Sequence, residues 1–61
     1  MAVEIIKSNI AKVEKEIEYL NELISSARKV GVDYNDERIE RKCKKETRQM
    51  LIQMLADLGE M

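Results

Sequence analysis

Val3, Ile10, Ile17 and Ile24 fall one heptad apart, and Ile6, Val13, Leu20 and Ala27 repeat the step three residues later. Apolar positions alternating at three and four residues put a continuous stripe along one side of a helix. A stripe of that kind is built to lie against other helices. The pattern predicts a first helix over about residues 2–30. Arg28 and Lys29 fall in its last turn, where positive charge suits the helix dipole. Gly31 is the expected stop, free to take the left-handed conformation of a C′ residue, with Val32 placed for the hydrophobic contact of a Schellman motif. A turn over 31–35 follows, and Asp33, Asn35 and Asp36 in and just after it are candidate N-caps. Asp33 or Asn35 is preferred, since either leaves Asp36 and Glu37 in the first turn of the next helix. The second helix is expected over about 36–58, ended by Gly59.

A linker of a few residues makes the two helices antiparallel neighbours. With the reversal near Asp33 or Tyr34, the expected pairs are Ile24 with Cys43, Leu20 with Thr47 and Ile17 with Met50. Val13 then meets Met54, Ile10 meets Leu58, and Ala27 meets Ile39. The second helix has two characters. From Asp36 to Gln49 its apolar positions are Ile39 and Cys43, with Thr47 semi-polar; from Met50 to Leu58 it is crowded with apolar side chains. That crowded stretch is wide enough for two neighbours, and Leu51, Ile52 and Leu55 are left over once the hairpin closes. Burying each is worth roughly 1.5–3 kcal/mol, so the surplus calls for a cover. A second copy of the chain is the simplest one. The fold expected is therefore all-α, an antiparallel helical hairpin dimerising into a four-helix bundle. Its self-association or partner face is expected to comprise Ile17, Leu20, Ile24, Met50, Leu51, Met54, Leu55 and Leu58. A different protein is the rival cover.

Length sharpens the need for assembly. A chain of 61 residues allows one small domain, which buries only about 60% of its unfolded surface. One cysteine makes no internal disulfide and histidine is absent, so oligomerisation is the remaining staple. A single cysteine without a partner also points to an intracellular protein. No apolar run exceeds three residues, Met50 to Ile52, and the amino terminus has no signal-peptide core, so a cytoplasmic protein with no membrane partner is expected. The formal net charge of −1 supplies no global field toward nucleic acid or membranes.

Charge is local instead. Arg38, Arg41, Lys42, Lys44, Lys45 and Arg48 put six basic residues in eleven, and Arg38, Arg41, Lys45 and Arg48 step along one side of the helix. A basic stripe can follow a phosphate backbone, each neutralised phosphate adding salt-dependent affinity. Acidic neighbours and the lack of interleaved aromatics argue against that use. Glu14, Glu18 and Glu22 form an acidic row on the first helix, and the expected pairing brings Glu18 and Glu22 near Arg48 and Lys45 or Lys44. Complementary rows that fix helix pairing are the favoured account of the basic run.

The chain carries little chemistry. Without histidine the commonest general base and metal ligand is missing. Cys43 is flanked by Lys42 and Lys44, which favour a thiolate, but its place on the expected seam makes it a small buried hydrophobe. Gly31 and Gly59 are the only glycines, so there is no phosphate-cradling loop. No enzyme activity, cofactor or metal is expected. Met50 and Met54 offer an adaptable binding surface, with core filling the commoner use. In size and layout the chain resembles the small hairpin proteins of the plasmid copy-number regulator type. That resemblance implies a four-helix-bundle dimer that binds RNA loops, and it is one of architecture without a shared motif. The function expected is that of a small interaction protein, self-associating and regulating another protein as adaptor, inhibitor or regulatory subunit. An RNA- or DNA-binding dimer and a purely structural oligomerisation module are the alternatives.

Overall fold

The computed structural model describes residues 2–59. Two helices, α1 (Ala2–Val30) and α2 (Asn35–Asp57), pack against each other as a hairpin. The 29 residues of α1 rise about 44 Å at 1.5 Å each. That length sets the shape, a rod 45 Å long and 14 Å across in both other directions.

The turn is built by short-range bonds. Gly31 has φ +78°, and the Val32 N–H donates to the Ala27 carbonyl at 2.9 Å. This is the long bond of a Schellman motif, with Gly31 at C′ as the sequence predicts. Val32, the residue after Gly31, stays 57% exposed. Asp33 then accepts a hydrogen bond from the Asn35 N–H at 3.0 Å, satisfying one of the orphan donors of α2. The residue at the cap position is Tyr34, without a side-chain cap bond, so Asp33 acts from one residue further out than an ordinary N-cap. Arg28 lies over the Tyr34 ring, 5.8 Å from its centroid, and ties the end of α1 to the start of α2 by a cation–π contact. At the far end, the Gly59 N–H donates to the Ala56 carbonyl at 2.9 Å, and Gly59, also at φ +78°, ends α2.

A Cβ added at Gly31 meets nothing within 4 Å, so a substitution there acts through backbone strain alone. Gly31→Ala should destabilise the hairpin by about 1 kcal/mol. Gly31→Asn, which tolerates the left-handed region better, should recover part of the loss. Urea melts of the three chains side by side check this.

The heptad stripe of α1 is the core. Ile6, Val13, Leu20 and Ile24 are buried, and Val3, Ile10, Ile17 and Ala27 are half-buried beside them. On α2 the expected seam is not the one used. Leu55 is buried and Leu51 and Ile52 are half-buried, whereas Ile39, Met50, Met54 and Leu58 are exposed, as is Cys43. The residues expected to be left over thus close the hairpin, and most of those expected to close it are left outside.

Two causes account for the rotation of α2. First, the reversal is centred at the Gly31 end of the turn rather than at Asp33–Tyr34. Arg48 therefore meets Glu14 instead of Glu18, and Lys44 meets Glu16 instead of Glu22. Second, the inward row Glu37, Arg41, Lys44 and Arg48 continues at heptad spacing into Leu51 and Leu55. Arg41, Lys44 and Arg48 are half-buried, and their charged ends meet Asn21, Glu16 and Glu14 of α1 at the edges of the seam.

Candidate interaction surface

Polar contacts label the two flanks of the hairpin. On one flank, Arg48 Nε donates to Glu14 Oε2 at 3.0 Å, and Arg41 donates to the Asn21 side-chain oxygen at 2.8 Å. Between these contacts Glu14, Ile17, Glu18, Lys45, Arg48 and Gln49 line an open groove. Glutamates of α1 here face cations of α2, which is the complementary-row arrangement the sequence suggests, in a different register. Glu14 is the row member that pairs, and Glu18 shares the groove with Lys45 and Arg48. Both partners in the Arg48–Glu14 pair are two-fifths exposed or more, so the pair is worth at most about 1 kcal/mol and serves mainly to fix register.

The opposite flank is marked by Lys44 Nζ and Glu16 Oε2 at 3.0 Å. The glutamate's hydrogen bond and charge raise the Lys44 pKa above its ordinary value. The stabilisation that this shift represents is complete at neutral pH and is lost as alkaline pH deprotonates the lysine. Three and seven residues on from Glu16, the same side of α1 presents Tyr19 and Leu23, 61% and 38% exposed. On α2, the steps from Lys44 along its outer side reach Thr47, Met54 and Leu58, with Cys43 and Met50 in the adjoining row. Met50, Met54 and Leu58 are exposed by 66%, 46% and 53%. One flank is thus charged and internally paired; the other is largely apolar and open.

The residues singled out in the sequence divide accordingly. Leu20, Ile24 and Leu55 are buried within the hairpin, and Ile17 and Leu51 are half-buried there, so these five serve the internal seam. Met50, Met54 and Leu58 remain on the surface. Of the basic stripe, Arg41 and Arg48 are engaged by α1, whereas Arg38 and Lys45 are exposed, as is Lys42. Glu16, Asn21, Tyr19 and Leu23 were not singled out in the sequence. Tyr19 and Leu23 lie off the heptad stripe, and the signal for them is a second apolar row, Ile5, Tyr19, Leu23 and Val30, all exposed.

Cys43 is an exposed free thiol rather than the small core residue expected. Thr47, itself exposed, donates its hydroxyl to the Cys43 carbonyl at 3.0 Å, a bond back to the preceding turn of its own helix. Among the described residues no group of acidic or cysteine side chains is arranged to hold a metal ion, and no helix is long and apolar enough to cross a membrane. No protein-family model, curated protein or solved structure matches this chain.

Proposed function

We propose that this chain is a non-enzymatic interaction protein, a helical hairpin that self-associates and binds and regulates another protein as adaptor, inhibitor or regulatory subunit. One observation carries the reading. Nine large apolar side chains are exposed among the described residues, against five that are buried. Scattered exposed apolar residues are ordinary, but a row of them on each helix along one flank is the mark of an association surface. The absence of histidine from the sequence and the exposure of most of the described carboxylates leave binding as the better-supported role. A free, exposed thiol suits a reducing compartment, which supports a cytoplasmic setting.

Sedimentation equilibrium at micromolar concentration is expected to give a dimer, the assembly of a four-helix bundle; a well-folded monomer at every concentration would sink the self-association. Nucleic acid is the weaker reading, since α1 already holds two of the four stripe residues. Structured RNA and duplex DNA near physiological salt should not shift in a gel. A steeply salt-dependent shift lost in Arg38→Ala/Lys45→Ala would reverse the order of the two readings.

A further inference from the structure

We infer that a second copy of this chain docks on the flank bearing Tyr19, Leu23, Cys43, Met50, Met54 and Leu58, leaving the groove between Glu14, Glu18, Lys45 and Arg48 open to solvent. The inference rests on the self-association reading and assigns it a surface. Area is the first argument. The hairpin exposes 4820 Å², whereas a folded monomer of 7.1 kDa is expected to expose about 4,100 Å². The excess of about 700 Å² is close to the roughly 800 Å² that each partner contributes to a stable interface. Two helices without a third neighbour carry that excess along their sides, and a second hairpin laid on one side removes it.

Charge decides which side. Docking through the Glu14–Arg48 flank would take two glutamates, an arginine and a lysine out of water, and the desolvation cost of such groups rivals what their pairing returns. On the apolar flank the central charges, Glu16 and Lys44, already neutralise each other at 3.0 Å. Lys12 and Glu40, one turn away on either helix, are of opposite sign, and the acidic Asp36 and Asp57 fall at the two ends of the Cys43–Met50 row, away from its centre. The adaptable methionines lie where the copy would sit.

The test uses the whole chain and three single variants. Met54→Glu and Leu23→Glu place a charge on the proposed interface at positions the hairpin core does not use. Gln49→Glu places the same charge on the opposite flank. By sedimentation equilibrium the first two should weaken dimerisation by at least about tenfold, and Gln49→Glu should leave it within about twofold of the parent. Thiol chemistry supplies a second measurement, whose main arm uses the parent chain. The reaction of Cys43 with an aromatic disulfide reagent should slow as protein concentration rises. A cysteine placed at Gln49 in a Cys43→Ser chain should react at a rate independent of concentration. A parent dimer that survives Met54→Glu but dissociates in Gln49→Glu, or whose Cys43 reacts equally fast at all concentrations, overturns the assigned surface while leaving self-association standing. A parent chain that is monomeric throughout overturns the self-association reading itself.

Discussion

Leu20→Asp should abolish the cooperative helical melt at 25 °C. Leu20 is 4% exposed and sits mid-way along the buried row of α1, between Val13 and Ile24. Removing its side chain alone costs about 2–5 kcal/mol in a core. A carboxylate in its place adds the cost of an unpaired buried charge, unless the site opens or the group protonates. A small domain has about 5–15 kcal/mol in total, and a two-helix rod with five buried side chains belongs at the low end. Circular dichroism should show loss of the helical signal at pH 7. Glu18→Gln, two residues away on the exposed side of the helix, should move the melting temperature by a degree or so. An unchanged melt for Leu20→Asp would remove α1's heptad row from the core.

The second large effect separates the two possible faces of α2. Leu55 is 5% exposed and the adjacent Met54 is 46% exposed. Leu55→Ala should cost about 2–3 kcal/mol in the hairpin, and Met54→Ala less than about 1 kcal/mol. Both values refer to denaturant melts at concentrations low enough to keep the chains apart, since a second copy would bury Met54 too. The reverse order would restore the seam of Ile39, Cys43, Met50, Met54 and Leu58 that the sequence suggests, and with it the other register.

The contrast between those two faces shows what a sequence of this kind makes legible. The heptads of α1 specify one inward row, because every other side is polar or broken. The Gly31 stop, the bounds of both helices and the hairpin follow from local bonds within a few residues. α2 is different, because near its carboxy-terminal end apolar residues occupy most of its circumference and two faces qualify. The choice is made by side chains that read as surface: Arg41, Lys44 and Arg48 meet Asn21, Glu16 and Glu14, and in doing so turn Leu51 and Leu55 inward. Hydrophobic patterning gives no weight to a lysine or arginine stem lying on a helix, so it assigns that half of the seam to Ile39 and Cys43. The centre of the turn adds to the error, since shifting it by two or three residues moves every facing pair by about one helical turn.

The bonds of the turn also govern the order in which the hairpin closes. Arg41 reaches Asn21 across a separation of 20 residues, and Arg48 reaches Glu14 across 34. Loop-closure entropy grows with the logarithm of separation, so the second contact made alone costs about 0.5 kcal/mol more than the first. Once Gly31 and Asp33 have reversed the chain and Arg41 has found Asn21, each further pair closes only the short stretch beyond the last. Such a rod zips from its bend outward on the fast timescale of low-contact-order helical proteins. Run backward, the same sequence makes the free ends of the two helices the first part of the molecule to open.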